Sequence, residues 1–432
     1  MTIRIEKVKA LRGKIRAPGD KSVSHRALLV AALTPGCSRL FGVSDAEDVA
    51  ATRQCLRQMG IAIEDAAGFT SVTGQSLPHW REPREALNCE NSGTTMRLLA
   101  GLLAGSSLRA RLIGDVSLSR RPMQRIVEPL ALMGGQIEAE ASRGRPPLLV
   151  TGAKLKACDH RLPIASAQVK SALLLAGITA SGVTRIWEKH PTRDHTERML
   201  RAFGCDISFS PGYVELRGGQ VLRPYDLETP GDISGAAFFI VLAAVTPGAL
   251  LTVENVGLNP TRTGVLDVLQ AMGASITYTV HRTEPEPVGN IRVAGGYLKG
   301  FCVGGAEIPR LIDELPILAV AAALATGKTE VRDASELRVK ESDRITALLT
   351  ELRRMGVKCE EFPDGWAIEG GSLRGAAVDA HGDHRLAMAL AIAGCCAAGE
   401  THLQGAECVA VSYPGFFATL QRLCTEEERE DA

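Results

Sequence analysis

Aromatic residues make up only 4% of this 432-residue chain, and its 49 basic side chains are matched by 49 acidic ones. A neutral chain with few aromatic rings lacks the general attraction and the stacking surface of a nucleic-acid-binding array. The eleven cysteines contain no Cys-x-x-Cys pair, and Cys395 and Cys396 lie side by side in the apolar run AMALAIAGCCAAG. Small buried thiols in a reducing compartment are expected, not a disulfide framework or a zinc site. No stretch of eighteen uncharged apolar residues occurs outside small-residue helices closed by glycine turns, so no membrane span is expected. The opening stretch MTIRIEKVKALRGKIRAPGD alternates charged and apolar residues like a strand and lacks the apolar centre of a signal peptide. A soluble cytoplasmic protein is the expectation. No Gly-x-Gly-x-x-Gly follows a strand pattern, which removes the usual dinucleotide fingerprint.

The chain is instead rich in repetition. Hydrophobic residues reach 45%, ample for a core, and the length suggests two or three domains. An Ala/Leu-rich helix pattern, a glycine and an alternating strand recur six times: ALLVAALTPGCSRL, RLLAGLLAGSSLRARLI, ALLLAGITASGVTRI, FFIVLAAVTPGALLTV, ILAVAAALATGKTEV and LAIAGCCAAGETHL. The closing glycines, Gly36, Gly105, Gly182, Gly248, Gly327 and Gly399, stand 66 to 79 residues apart and suit left-handed helix caps. A second helix, a glycine and a short strand follow in the first five copies, with Gly60, Gly134, Gly204, Gly273 and Gly356. The sixth copy ends in FFATLQRL without that glycine. The period predicts six α/β units rather than one doubly wound sheet or an eightfold barrel.

The repeat also locates the chemistry. The first helices begin at Lys21-Ser22, Asn91-Ser92-Gly93-Thr94, Ser166-Ala167-Gln168, Asp232-Ile233-Ser234, Asp313-Glu314 and Asp383-His384-Arg385. Ser, Asn and Asp are ordinary helix caps. Capping does not call for Lys21, Gln168 or Arg385. Helix N-termini also offer free N–H groups and a positive dipole end to anions. The second helices are predicted to start at Arg120, Thr192, Thr261 and Arg338, now with added cations. LRVKESDRI, from Leu337 to Ile345, is the fifth-copy version; alone it would also suit a solvated face with i,i+4 ion pairs. If like units pack alike, Lys21, Arg26, Arg121, Lys340, Arg344 and Arg385 line a cleft for a polyanion, arginine being suited to bidentate grips on phosphate or carboxylate.

The stretches APGDKSVSHRALL, NSGTTMRLLAG, RRPM, ASAQVKSALLLAG, TRDHTERML, GDISGAAFFI, IDELPILAVAAA, LRVKESDRI and GDHRLAMALA occur in this order over nearly the whole chain. Together they resemble the 5-enolpyruvylshikimate-3-phosphate synthase family. The resemblance implies a two-domain inside-out α/β barrel of six βαβαββ-like units, three per domain. It places one domain at 1–20 plus 230–432 and the other at 21–229, with hinges at Gly19-Asp20 and Gly231-Asp232 and the active site in the interdomain cleft. The implied reaction moves the enolpyruvyl group of phosphoenolpyruvate to the 5-hydroxyl of shikimate 3-phosphate. It runs by addition and elimination, without metal or organic cofactor. It needs many cations, a positioned acid and a positioned base.

Position by position, the resemblance assigns shikimate 3-phosphate to Lys21, Ser22, Arg26, Ser166, Ala167 through its backbone N–H, Gln168, Arg193, Asp313 and Lys340. Phosphoenolpyruvate falls to Lys21, Gly93, Arg121, Gln168, Arg344 and Arg385. Asp313 is the expected base, ionised among so many cations. Glu341 is the expected proton donor to the methylene carbon, and Lys21 a shuttle. Glyphosate is the expected inhibitor, in the phosphoenolpyruvate site beside Gly93. The expected state is a monomer, without nucleic-acid or membrane partners. Departures are Val411, where many relatives carry lysine, leaving one cation fewer, and Glu336 and Ala167 in place of polar neutral residues. His25 is expected to pack inside its helix, Arg97 to be structural, and Asp48 and Asp232 to cap or steer charge. His381 and His384, in HGDH, have no further ligand cluster near in sequence. Two rival readings are a UDP-N-acetylglucosamine enolpyruvyl transferase and an inactive binding paralogue. The first usually carries a loop cysteine that IGDVSLSRRPMQR lacks. Against the second stand Lys21, Asp313 and Glu341.

Overall fold

The computed structural model describes residues 1–8 and 10–425. Its α-helices are α1 (Lys21–Leu33), α2 (Glu47–Gln58), α3 (Gly93–Ala104), α4 (Gln124–Leu132), α5 (Ala167–Thr179), α6 (His195–Ala202), α7 (Ile233–Val245), α8 (Gly264–Ala271), α9 (Ile308–Leu311), α10 (Leu315–Leu324), α11 (Arg344–Arg354), α12 (His384–Cys396) and α13 (Phe416–Thr425). The chain forms two compact units. One holds Gly19–Pro230 together with Glu284–Glu286, here the 19–230 unit. The other, the split unit, holds Met1–Pro18, Gly231–Thr283 and the described residues from Pro287 onward.

The second copy shows the repeating element. Strand Leu87–Asn88, α3, strand Arg109–Ile113, α4 and the hairpin strands Gln136–Ala141 and Arg145–Thr151 follow in order, a βαβαββ unit. In the sheet, the first two strands run parallel and Arg145–Thr151 pairs antiparallel with Arg109–Ile113. Four further copies have the same strand order. Two of them borrow the edge strand from elsewhere in the chain. Leu227–Glu228, after the third copy, completes the first copy's sheet, and Arg12–Arg16 completes the fourth's. In the sixth copy, Thr2–Ile5 pairs antiparallel with Thr401–Gln404 and stands where the other copies place their own last strand.

The first helix of every copy is central. Every α1 residue from Val23 to Leu33 is buried, as is every α7 residue from Ile233 to Ala244 and every α12 residue from His384 to Cys395. A helix apolar on all sides has no solvent face. The strands alternate instead: Arg109–Ile113 buries Ala110 and Leu112 and turns Arg109 and Arg111 outward. Each unit therefore has helices inside and sheets outside, and it is small side chains that let the helices approach. A Cβ on Gly101 of α3 would lie 2.3 Å from the carbonyl oxygen of Ala172 on α5.

Two expectations about helix ends need correction. The glycine after the second helix does form the left-handed cap. Gly134, at φ +92°, donates to Ala131 O and Gly135 to Leu130 O, and the same pair of bonds recurs at Gly60, Gly204, Gly273 and Gly356. The glycine after the first helix does not cap it. Thr34, Ala180, Thr246, Ala325 and Ala397 are the caps, with extended backbones, and the glycine follows two residues later. In copies one and four a proline follows the cap and drives it out of the helical region. Gly105 is itself a cap, at φ −92°, and there the constraint is space: a Cβ would lie 1.9 Å from Thr179 Oγ1. The second helices also begin three to six residues later than predicted, at Gln124, His195, Gly264 and Arg344. Arg121, Arg193, Lys340 and Glu341 thus lie on the approaches to helices, with Asp343 capping α11 by accepting from Thr346 N.

Within each unit the chain's arrival and departure are tied by one bond. Asp20 N donates to Pro230 O at 2.7 Å in the 19–230 unit, and Asp232 N to Pro18 O at 2.8 Å in the split unit. Among the described residues no helix is long and apolar enough to cross a membrane.

Two glycines separate the two roles. Gly134→Ala meets nothing closer than 3.7 Å and suffers only from its left-handed backbone, so it should destabilise by about 1 kcal/mol. Gly101→Ala must push α3 from α5 and should cost about 3 kcal/mol, the upper end of overpacking. Denaturant unfolding of both variants checks this; equal losses would refute the close-approach argument.

Candidate active site

In the 19–230 unit the starts of α1, α3 and α5 are linked by side chains. Asp20 caps α1 by accepting from Val23 N, and Lys21 follows it, its Nζ 2.7 Å from Asp48 Oδ2. Asp48 lies in the first turn of α2, so a near neighbour holds Lys21 in place. Arg26 is buried one turn further along α1. Its Nε donates to Thr196 Oγ1 (2.7 Å), Nη1 to Ser22 O (2.8 Å) and Nη2 to Ser171 Oγ (2.8 Å). Burial lowers its pKa first; Glu197 opposes this and Arg193 adds to it, and the guanidinium ends at about 10, still a cation at neutral pH.

Gly93 is the first residue of α3, after the cap Ser92, whose Oγ accepts from Thr95 N. A Cβ there would lie 2.6 Å from Arg97 Nη1 and 3.2 Å from Arg121 Nη1. Arg121 is itself buried and donates through Nη2 to Asn91 Oδ1 at 2.5 Å. On α5, Ser166 is the cap, Ala167 the first helical residue, and Gln168 reaches back to α3: its Oε1 accepts from Arg97 Nη1 (2.6 Å) and its Nε2 donates to Thr94 Oγ1 (2.9 Å). Arg193 stands half-buried in the approach to α6.

In the split unit a second constellation surrounds Asp313. Lys340 Nζ, Arg344 Nη1 and Arg385 Nη2 lie 3.6, 3.7 and 3.8 Å from its carboxylate, and Arg385 Nη1 donates to its carbonyl oxygen. Arg344 is only 1% exposed. Its Nε donates to Asp383 Oδ2 (2.8 Å) and its Nη2 to Glu341 Oε2 (2.5 Å). Burial alone would lower its pKa, but Asp383, Glu341 and Asp313 outweigh burial and hold it above the ordinary arginine value. Asp383 also caps α12, accepting from Arg385 N, and accepts from Ser342 Oγ. Val411 ends the short turn Ala406–Val411 before α13.

Each unit therefore gathers its share of the sequence-assigned residues: Lys21, Ser22, Arg26, Gly93, Arg121, Ser166, Ala167, Gln168 and Arg193 in one, Asp313, Lys340, Glu341, Arg344 and Arg385 in the other. Sequence reasoning passed over Asp383 as the partner of Arg344, and Arg97 as the partner of Gln168. It also missed a buried cluster in which Arg262 donates to Ser234 Oγ at 2.6 Å and Ser234 to Glu314. The polar helix starts were the available signal for these. Lys170, by contrast, lies inside a site motif yet is buried against Glu188 and Glu197, each at 2.8 Å, which outweigh burial and keep it charged. His381 bonds Glu351 Oε1 at 2.8 Å, and no cluster of three metal-ligating side chains occurs among the described residues.

Residues 5–420 match the profile of the family described as EPSP synthase (3-phosphoshikimate 1-carboxyvinyltransferase). A 3-phosphoshikimate 1-carboxyvinyltransferase of Geobacter sp. (strain M21) is 48% identical over 414 residues, 95% of this chain and 96% of the relative. One from Bacillus cytotoxicus is 46% identical over 421 residues, covering 97% and 99%. The solved structure of EPSP synthase from Acinetobacter baumannii superposes with a TM-score of 0.86 at 43% identity, covering 98% of both chains.

His25 supplies a pH test of the 19–230 unit. Its Nδ1 lies 2.7 Å from Thr52 Oγ1; burial first, then Lys21 and Arg26, push its pKa well below 6.5. As pH falls through 6.5 the unfolded chain gains a proton there and the folded chain does not, so folded stability drops. The melting temperature of His25→Gln should decline less between pH 7 and pH 5 than that of the parent. Parallel declines would show that His25 is not held neutral.

Proposed function

The chain belongs to the EPSP synthase family, and from that membership we propose how its residues carry out enolpyruvyl transfer from phosphoenolpyruvate to the 5-hydroxyl of shikimate 3-phosphate. The observation that carries the assignment is Asp313 with three cations 3.6 to 3.8 Å from its carboxylate. A carboxylate in that company serves as an anionic base, and the cations left to either side suit anionic substrates.

Asp313 takes the proton of the 5-hydroxyl as its oxygen bonds to C2 of phosphoenolpyruvate. Glu341 gives a proton to the methylene carbon, which becomes a methyl group. The tetrahedral adduct then returns a methyl proton to the Glu341 carboxylate as its C2–O bond to phosphate breaks, leaving the enol ether and free phosphate. Lys21 relays protons. Lys21, Ser22, Arg26, Ser166, the Ala167 N–H, Gln168, Arg193 and Lys340 hold shikimate 3-phosphate; Lys21, Gly93, Arg121, Gln168, Arg344 and Arg385 hold phosphoenolpyruvate. The two substrates bring two phosphates and two carboxylates, which is why so many cations serve one reaction. The two units act as domains that contribute to the same reaction, the protein working as a monomer in the cytoplasm. Glyphosate competes with phosphoenolpyruvate beside Gly93. The UDP-N-acetylglucosamine reading has no comparable support, since the relatives at 46–49% identity carry the shikimate name.

Purified protein should release phosphate only with both substrates present, after chelation as well as before, and glyphosate should raise the KM for phosphoenolpyruvate without changing kcat. Turnover with UDP-N-acetylglucosamine, or none with shikimate 3-phosphate, would overturn the reading. Asp313→Ala and Glu341→Gln should each lower kcat by roughly 10²–10⁴, the scale of a positioned acid or base, with melting temperatures little changed. Glu341→Gln should also slow deuterium uptake from solvent into the methylene carbon. Near-parental turnover in either variant would remove that residue from its role.

A further inference from the structure

Gly93, Arg121 and Gln168 come from three segments, and one side chain reaches all three. Arg97, one turn along α3 from Gly93, is buried. Its Nη1 donates to Gln168 Oε1 at 2.6 Å, and its Nη2 lies 3.5 Å from the carbonyl oxygen of Pro122, the residue after Arg121. A Cβ on Gly93 would lie 2.6 Å from that same Nη1. We propose that Arg97 is a positioning residue for phosphoenolpyruvate: it fixes which way the Gln168 amide faces, and the absent side chain at 93 gives its guanidinium room. This rests on the assignment of Gly93, Arg121 and Gln168 to that substrate.

The argument is one of donors and acceptors. A guanidinium has N–H groups and no acceptor, so only the oxygen of the Gln168 amide can face it. The NH₂ group is thereby turned the other way. One of its hydrogens goes to Thr94 Oγ1 at 2.9 Å, leaving the second for a ligand oxygen. Rotated by half a turn, the amide would set NH₂ against the guanidinium and present its oxygen to an anion. A neutral glutamine thus acts as a dedicated donor to an anionic substrate because Arg97 holds its other end. A methyl group at 93 cannot enter without moving Nη1, since Arg121 Nη1 limits the same space at 3.2 Å. A substitution at Gly93 therefore reaches Gln168 through Arg97.

The test uses the full chain as Arg97→Lys, Arg97→Met, Gly93→Ala and the double variant Gly93→Ala/Arg97→Met. Arg97→Met should raise the KM for phosphoenolpyruvate about tenfold, the worth of one charge-assisted hydrogen bond, and lower kcat less. Arg97→Lys, still a donor without acceptors, should restore KM to within about threefold of the parent, against that same tenfold scale. If Gly93→Ala acts through Arg97, the double variant should be no worse than the poorer single; independent effects would multiply and overturn the proposal. A second readout does not depend on turnover. The side-chain amide NMR signal of Gln168, assigned by its loss in Gln168→Ala, should move in Arg97→Met and in Gly93→Ala and stay near its parental position in Arg97→Lys. An unmoved signal in the first two overturns the positioning role. If Arg97→Met does not fold, Gly93→Ala and Arg97→Lys decide the matter by the same signal. Absence of parental turnover with a signal that moves as stated would overturn the reaction assignment and leave the positioning role standing.

Discussion

Three small-residue helices buried on every side at the centre of each unit set the terms for everything else. Such a helix has no solvent face, so charge cannot be spread along its length without a partner at each step. Polar side chains collect at its ends. The C-terminal ends turn into strands through Thr-Pro-Gly or Ala-x-Gly in five copies and through Gly105 in the second, which leaves the N-terminal ends for chemistry. Those ends already favour anions through their unbonded N–H groups and dipoles. Lys21, Gly93, Gln168 and Arg385 each stand in a first turn, and Arg121, Lys340 and Glu341 stand just before the first turn of a neighbouring helix. Site and core follow from one packing choice, repeated.

Cations gathered in this way repel one another, and the structure shows two ways of holding them. Lys21, Arg344 and Arg385 face carboxylates: Asp48, the Asp383–Glu341 pair, and Asp313. Arg26 is bonded by two hydroxyls and a backbone carbonyl, which orient it without cancelling its charge. The first arrangement fixes geometry at the expense of attraction, and the second keeps attraction at the expense of burying a charge. The lowered pKa of Arg26 is the mark of the second. An anion brought to Arg26 would supply a missing counter-charge, whereas one brought to Arg344 would compete with a resident carboxylate.

The periodic features were legible in the sequence. Six helix–glycine–strand copies and their polar first turns depend on local order, and the structure repeats them, five of the copies with a four-stranded sheet of the same order. Pairings over long distances in the chain were not legible. Arg97 and Gln168 are 71 residues apart, and Arg344 and Asp383 are 39 apart; nothing local marks them as partners. Lys170 shows the opposite failure. It has the composition of a site cation, in ASAQVKSALL, yet α5 turns it into a pocket of two glutamates. Helix starts were placed too early wherever the approach carried charge, because the charged residues resemble a first turn and only the cap, such as Asp343, shows where it begins.

The borrowed strands fix an order of events on the ribosome. The sheets of the 19–230 unit are complete once Leu227–Glu228 has been made, so this half can settle while the rest is still being translated. The split unit has no such freedom. Its strand Thr2–Ile5 is made before everything that separates it from its partner, Thr401–Gln404. That strand must wait, unpaired and with its backbone groups open to other chains, until Thr401–Gln404 has been made. Arg4 within it and Glu6 just beyond it are the kind of decoration that keeps a waiting strand edge from pairing with the wrong neighbour.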